Sequence, residues 1–246
     1  MNRRIFLSTL ALTPLIASNF VKESSDIYLS YQEYIALENL NKRLKRLSRF
    51  IGYANFNIVS FNDALFYGRN YSAIGSFTKE ELSLVDKLFS ENSKQYGFYG
   101  ATTCSSLNNK ISKKDVVKIP YTGHYLFKGK PLEDYEKLKK DIGDTLVLTS
   151  GVRNIVKQLS LYCNKIYNNG GNITQASVEI APPAHSYHTI SDFDVGRRGW
   201  GYKNFTADFA STQEFKKMRQ LDYISMRYNK NNSYGVRFEP WHVEVI

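Results

Sequence analysis

The sequence has few residues that cross-link chains or bind metals, with two cysteines and four histidines among 246 residues. Cys104 and Cys163 are compatible with one disulfide or with two separate buried thiols, because a sequence does not give the distance between them. No internal repeat, low-complexity tract or Pro- or Ser-rich linker divides the chain. With 42% hydrophobic and 14% aromatic residues, it has enough apolar material for one packed domain rather than a disordered segment.

The beginning of the chain lacks an apolar run long enough to span a bilayer comfortably. The run at residues 5–17 is short and follows Arg3 and Arg4, which is typical of a cleavable signal peptide. We therefore expect a signal peptide at residues 1–18. The paired arginines also resemble a twin-arginine signal, so the export route stays open. No cysteine lies near the expected cleavage region, which argues against a lipoprotein, and an uncleaved anchor is the alternative.

Acidic residues are outnumbered, 23 against 33 lysines and arginines, and the formal charge is +10. A basic exported protein suits an anionic partner such as the bacterial cell wall or a membrane surface. The basic residues are spread along the chain, so nucleic acid is not the expected partner. We expect a periplasmic or otherwise exported protein of the bacterial cell envelope, without a stable membrane span after signal cleavage.

Apolar residues that recur every three or four positions predict five helices, two of them preceded by capping boxes at Thr78 and Ser211. The predicted helices lie within residues 26–50, 79–89, 132–142, 155–166 and 213–221. Apolar runs and alternation predict strands at residues 145–149, 176–180 and 234–245. Helices cluster early and strands are interspersed later, which predicts an α+β fold with a small antiparallel sheet and flanking helices. We expect one domain over residues 25–246, with an N-terminal helical extension.

The first predicted helix, residues 26–50, carries basic residues between its leucines. This pattern is compatible with a helix that lies on a membrane surface. It is more typical of a helix that packs its leucines in the core and leaves a charged face in solvent.

Two short segments, residues 186–194 and 239–242, supply the parts of a catalytic zinc site. They contain two imidazoles, carboxylates that can bind metal and a spare glutamate. Zinc in a hydrolase usually takes three protein ligands and leaves one position for water, which a nearby carboxylate can deprotonate. Asp192 and Asp194 alternate with apolar residues and fall on the same side of a strand, so the period alone does not choose between them.

Three elements in this order resemble the zinc D-alanyl-D-alanine carboxypeptidases of the VanY type and the related LAS-type peptidoglycan peptidases. Residues 186–188 and 194–196 are similar to the first family signature, S-x-H followed by D-[ILV]-[GS]. Residues 239–242 are similar to the second, E-x-W-H. Residues 150–158 resemble a third pattern, S-G-[YF]-R…Q. The resemblance implies a fold like that of Hedgehog and the D,D-peptidases.

The resemblance also implies a metal site with one Zn²⁺ ion and a separate base. The implied ligands are His188, Asp194 and His242. Glu239 would act as general base on the zinc-bound water and then as acid toward the leaving amine.

The same resemblance implies the residues of the substrate cleft. Arg153 would bind substrate near the scissile peptide, through its carboxylate or a carbonyl. Ser186 and Gln158 would line the cleft, and Trp241 would form a wall of the pocket.

The sequence departs from the family pattern at two places. Asp194 is one residue closer to the first histidine than usual, which leaves Asp192 as an alternative ligand. Val152 replaces the usual aromatic residue of the arginine motif, so we expect a changed pocket wall. His124 and His185 fit no family motif and are expected to be ordinary polar residues.

These features favour an exported zinc carboxypeptidase that removes the terminal D-alanine from peptidoglycan stem peptides. One alternative is an L,D-carboxypeptidase that acts on tetrapeptide stems. Another is a non-catalytic zinc-containing domain that binds the cell wall, although a purely structural site would need no free glutamate. A domain without metal is a third alternative. The oligomeric state stays open.

Overall fold

The structure, a computed structural model, describes residues 26–246. The predicted signal peptide, residues 1–18, lies outside this range. The α-helices in the described part are α1 Tyr31–Ile51, α2 Tyr53–Phe56, α3 Phe61–Asn70, α4 Lys79–Ser90, α5 Lys130–Ile142, α6 Ile155–Asn168, α7 Ile173–Glu179 and α8 Gln213–Met218. The strands are β1 Val116–Lys118, β2 Tyr125–Phe127, β3 Leu146–Ser150, β4 Phe193–Arg197 and β5 His242–Val243. The 3₁₀ helices are Ser93–Tyr96, Lys113–Asp115, Pro183–His185, Tyr187–Thr189, Gly201–Phe205 and Ala207–Ser211.

The first part of the described chain forms a helical core in which α1, α3 and α4 pack with α6 and α7. Helix α1 begins after Ser30, whose side chain accepts from Glu33 N in a capping box. The cap explains why the helix begins later than the predicted residue 26. The leucines of α1 are fully buried, so the prediction of a core-packed helix is confirmed. The capping box predicted at Thr78 is also present at the start of α4.

A three-stranded antiparallel sheet has the order β3-β4-β5, with β4 in the centre. The register pairs Ser150 with Asp194, and Asp194 with His242. One residue of each strand therefore lies in a single row across the sheet. Strands β1 and β2 form a separate antiparallel pair.

Helices α5 and α8 cover the three-stranded sheet and form a second core with it. Fully buried side chains of this core come from α5, β3 and β4, including Leu138, Leu146, Phe193 and Val195. The prediction of an α+β fold with a small antiparallel sheet and flanking helices is confirmed.

The strand predicted at residues 176–180 is wrong, because this segment belongs to helix α7. Asn172 caps the helix by accepting from Gln175 N. Ile173 and Ala176 are both fully buried at a helical spacing of three residues. The short apolar run was thus one face of a helix.

The strand predicted from residue 234 is wrong before residue 242. Tyr234 O accepts from Tyr99 N at 2.8 Å, whereas Arg237 N donates to Val178 O at 2.9 Å. These bonds join different segments, so no ladder forms. Gly235 lies in the left-handed region with φ +79°, and a Cβ there would lie 1.8 Å from Gly97 O.

The capping box predicted at Ser211 is wrong by one residue. Thr212 is the cap of α8 and accepts from Phe215 N, while Ser211 belongs to the preceding 3₁₀ helix. The third helical position is consequently Phe215 rather than an acid, so no reciprocal bond from a glutamate closes the box.

Cys104 and Cys163 are buried free thiols, so the described structure contains no bridge between them. No helix within residues 26–246 combines the length and apolar character that a membrane crossing requires.

Candidate metal centre

Three buried side chains converge at the row across the central sheet. His188 lies in the 3₁₀ helix Tyr187–Thr189, Asp194 in β4 and His242 opposite it in β5. One ligand atom from each lies within 4.8 Å of the other two. The antiparallel register brings together residues that are far apart in the chain, and all three predicted ligands are in this cluster.

The hydrogen bonds of His188 leave one ring nitrogen facing Asp194. His188 Nδ1 lies 2.9 Å from Gly151 O, to which it donates, so Nε2 carries the lone pair. Nε2 lies 3.3 Å from Asp194 Oδ1. Within residues 26–246 neither of these two atoms has a hydrogen-bond partner, and with the proton of His188 on Nδ1 both are acceptors. Two buried acceptors side by side fit a site for a cation.

His242 is oriented by Asp192, which lies on the far side of its ring. Nε2 of His242 donates to Asp192 Oδ2 at 2.9 Å, and Nδ1 lies 3.2 Å from Asp194 Oδ1. Asp192 also accepts from Arg227 Nε at 2.6 Å and from Val245 N at 3.2 Å. Asp192 therefore lies behind the His242 ring, where a carboxylate orients the imidazole, and Asp194 lies among the three residues that could hold a metal ion.

The charges of these acids decide the protonation of His242. Burial lowers the pKa of His242, but the hydrogen bond to Asp192 and the negative charges of Asp192 and Asp194 outweigh burial and raise it to about 9. A metal ion that binds at Nδ1 would therefore displace a proton. For His188, burial and the charge of Arg153 lower the pKa to about 4, so this ring is neutral.

Arg153 holds the second oxygen of Asp194. Its Nη2 donates to Asp194 Oδ2, and its Nε donates to Ser150 Oγ at 2.8 Å. Burial raises the pKa of Asp194, but the adjacent imidazole of His188 and the charge of Arg153 outweigh burial and keep it well below its usual value. Gly151 permits this turn, because a Cβ there would lie 2.0 Å from Tyr125 O.

Glu239 lies beside the cluster without being one of its three ligand residues. Its Oε2 is 3.9 Å from His242 Nδ1, and His242 N donates to Glu239 O at 3.1 Å. The turn around Pro240 thus directs both side chains to the same place. Burial raises the pKa of Glu239 to about 7; the charge of His242 lowers this pKa and the charge of Asp194 raises it, both by less than burial does. A carboxyl group with a pKa near neutrality is suited to accept and return a proton.

A cavity of about 340 Å³ adjoins the cluster. It brings together all eight site residues predicted from the sequence, which are Arg153, Gln158, Ser186, His188, Asp194, Glu239, Trp241 and His242. Gln158 donates through Nε2 to Ala181 O at 2.7 Å, while its Oε1 is buried without a hydrogen-bond partner in the described structure. Trp241 packs edge-to-face on Phe205, with ring centroids 6.2 Å apart. The predicted pocket wall is thus a rigid aromatic surface.

Other residues of the cavity were missed by sequence reasoning. Lys157 lies in the first turn of α6, four positions after Arg153, which precedes the helix. Tyr53 comes from α2 and Tyr228 from the segment before β5, and both line the cavity. The Tyr228 ring lies 4.7 Å from that of His242. No sequence signal marks either tyrosine, because only the tertiary fold brings them here.

Three residues with sequence expectations lie outside the metal cluster. Val152 packs with Ile58 and other apolar residues in a small core of its own and is not among the residues that line the cavity. His185 Nδ1 bonds to a main-chain oxygen at 3.1 Å. His124 lies edge-on to the ring of Tyr53 at 5.4 Å. Neither histidine belongs to the cluster, as expected.

Comparisons with known proteins found one family model and several solved structures that are similar to parts of this chain. The family model of VanY, D-alanyl-D-alanine carboxypeptidase, matches residues 130–246. No curated protein matches the chain. Among solved structures, the LdcB LD-carboxypeptidase is 23% identical over 55% of this chain and 70% of its own, with a TM-score of 0.46.

Two further solved structures are similar to this chain. VanYB in complex with D-alanine-D-alanine is 20% identical over 53% of this chain and 76% of its own, with a TM-score of 0.41. A mutant of the D,D-pentapeptidase VanY from a VanB-type resistance cassette, in complex with Zn(II), is 18% identical over 53% of this chain and 77% of its own, with a TM-score of 0.38.

Proposed function

We propose that this chain is a VanY-type peptidase, an exported zinc carboxypeptidase that removes the terminal D-alanine from peptidoglycan stem peptides; the match of residues 130–246 to the VanY family model supports this. The observation that carries the proposal is the convergence of three buried ligand atoms beside a separate glutamate with a raised pKa. A structural site would not need that glutamate. The proposal covers residues 25–246 as one peptidase domain in the cell envelope, whose excess of basic residues suits the anionic wall.

The donor set fits zinc. Two imidazole nitrogens and one carboxylate oxygen are typical ligands of catalytic zinc, and three protein ligands leave a position for water. His188 Nε2, Asp194 Oδ1 and His242 Nδ1 would hold the ion. When bound there, zinc polarises the scissile carbonyl and lowers the pKa of water to about 7.

Glu239 is proposed as the group that moves the proton. Its carboxylate accepts a proton from the attacking water and returns it to the amine of the leaving D-alanine. The raised pKa of this residue keeps both transfers close to balance near neutral pH. The buried position beside His242 limits exchange of that proton with bulk solvent.

The remaining predicted residues are proposed to position the peptide. Arg153 keeps Asp194 ionised, and its other N–H groups are available near the scissile carbonyl. The free Oε1 of Gln158 is suited to accept from a peptide N–H. Ser186 offers a hydroxyl in the same cavity, and Trp241 supplies an apolar wall.

Product identification tests the proposal. We would incubate zinc-loaded protein with a pentapeptide stem that ends in D-Ala-D-Ala and with the corresponding tetrapeptide, and identify products by mass spectrometry. We expect loss of one alanine from the pentapeptide. Loss from the tetrapeptide alone would indicate the L,D-carboxypeptidase reaction instead. Glu239→Gln is the matched control, and no product from either peptide with zinc-loaded wild-type protein would contradict the proposal.

A further inference from the structure

One wall of the cavity carries a row of side chains four residues apart on α6 and its N-terminal flank. Arg153, Lys157, Leu161 and Lys165 all line the cavity from this side. Arg153 is bound to Asp194 and Ser150, and Lys165 is bound to Glu179. Arg153 and Lys165 therefore have partners within the protein. Lys157 lies between them in the row.

Lys157 is a buried cation whose surroundings are aromatic. It is 9% exposed, and its Nζ lies 4.7 Å from the ring centroid of Tyr53 and 5.8 Å from that of Phe56. Burial, and then the charge of Arg153, lower the pKa of Lys157 to about 8, and no carboxylate among residues 26–246 counteracts them. A buried ammonium without an anionic partner attracts an anion strongly.

The position of Lys157 indicates which anion it takes. Lys157 lies in the first turn of α6, and Arg153 lies in the segment that precedes the helix and contacts Asp194. Both side chains line the same cavity, which adjoins the metal cluster. In a carboxypeptidase substrate, three bonds separate the scissile carbonyl carbon from the terminal carboxylate carbon, a span of about 4 Å. A carbonyl held at the metal cluster therefore places the terminal carboxylate in the cavity that Lys157 lines.

We propose that Lys157 binds the C-terminal carboxylate of the peptide that this site cleaves. The assignment rests on the proposed carboxypeptidase function and adds to it the residue that recognises the chain end. Arg153 is engaged by Asp194 and Ser150, whereas Lys157 has no such partner in the described structure. The ring of Tyr53 lies beside the ammonium group of Lys157 and limits its movement. Tyr53 belongs to α2, which lies outside the segment that the family model matches. The N-terminal helices thus contribute to substrate recognition.

Binding measurements on a non-hydrolysing background test this assignment. The zinc-loaded Glu239→Gln protein would be titrated calorimetrically with a peptide ending in D-Ala-D-Ala, as the free acid and as the C-terminal amide. In that background, we expect Lys157→Met to weaken binding of the free acid by about 10- to 100-fold, the usual range for a hydrogen bond to a charged group. Binding of the amide should change less than about twofold, and Lys157→Arg should retain most of the affinity for the free acid.

Matched variants separate this contact from general effects of charge and folding. Lys114→Met removes an exposed lysine that does not line the cavity, and it should leave both affinities unchanged. In proteins with Glu239 intact, Lys157→Met should raise KM for the free acid while kcat stays within a few fold. An unchanged affinity of Lys157→Met for the free-acid peptide would overturn the assignment. An equal loss of affinity for the free acid and the amide would also overturn it, and would point to an internal carboxylate of the peptide or to a structural role of Lys157.

The outcomes also separate this inference from the proposed function. If the wild-type protein releases alanine and Lys157→Met binds the free acid normally, only the assignment of Lys157 fails. If the wild-type protein releases no alanine from any stem peptide, the proposed function fails, and the assignment that rests on it fails too.

Discussion

Replacing Asp192 by asparagine perturbs the metal site without touching a ligand. The carboxylate of Asp192 accepts from His242 Nε2 at 2.9 Å and from Arg227 Nε at 2.6 Å. It thereby keeps a proton on Nε2 of His242, so Nδ1, which faces the cluster, is the nitrogen that gives up its proton when a metal binds. An asparagine has almost the same shape, but its amide group can turn its NH₂ toward the ring. That orientation favours a proton on Nδ1 and removes the lone pair that a metal needs.

The expected magnitude follows from this geometry. Loss of a partner that orients a metal-ligating histidine typically lowers metal affinity by 10- to 100-fold. For Asp192→Asn this corresponds to about 1.4 to 2.7 kcal/mol of zinc-binding free energy. Arg227 keeps a second partner, since its Nη1 lies 2.9 Å from Glu244 Oε1, so we expect the fold to tolerate the change.

The assay is a competition for zinc with a chromophoric chelator, performed on wild-type protein, Asp192→Asn and the control Asp208→Asn. Asp208 is exposed, so its replacement should leave zinc affinity unchanged. Thermal unfolding of the metal-free proteins reports separately on the fold. Wild-type zinc affinity in Asp192→Asn, within about threefold, would refute the role of this carboxylate in orienting His242.

Three further predictions concern the base, the lysine and the helical core. Glu239→Gln should lower the rate of alanine release by about 10²- to 10⁴-fold and keep one zinc per chain by elemental analysis, whereas near-normal turnover would exclude it as the base. KM for the free-acid peptide should rise above about pH 8, because Lys157 loses its proton there. Lys157→Arg should abolish this rise between pH 7 and 9.5. A rise in KM that persists in Lys157→Arg would show that Lys157 does not cause it. Glu81→Ala should destabilise the fold by about 3 to 5 kcal/mol in denaturant titrations, because it leaves Arg43 buried and unpaired, whereas Glu38→Ala at an exposed pair should cost less than about 1 kcal/mol. Equal effects of the two glutamate substitutions would contradict the buried-pair argument.

Sequence reasoning predicted the residues of the site better than their arrangement. The motifs named a histidine, an acid and a glutamate in segments that the fold brings together at one cavity, because residue types and local spacing are visible in a sequence. The choice between Asp192 and Asp194 was not visible, since alternation puts both on one side. In the structure, Asp192 contacts Nε2 of His242 and Asp194 contacts Nδ1, so the two acids lie on opposite sides of the same ring.

The remaining differences come from tertiary contacts. Tyr53 enters the cavity from a helix about 100 residues before Arg153, and nothing local distinguishes it from other surface tyrosines. The segment at residues 234–238 alternates like a strand, but Gly235 and hydrogen bonds to several segments prevent a ladder. Long helices with clear caps and apolar faces were predicted well because their signals are local.

Anomalous diffraction at the zinc absorption edge, from crystals of zinc-loaded protein, tests the central claim most directly. We expect one strong peak per chain, about 2.0 to 2.2 Å from His188 Nε2, Asp194 Oδ1 and His242 Nδ1. No peak at this position, or a peak bound instead by other residues, would contradict the account of this site as a catalytic zinc centre.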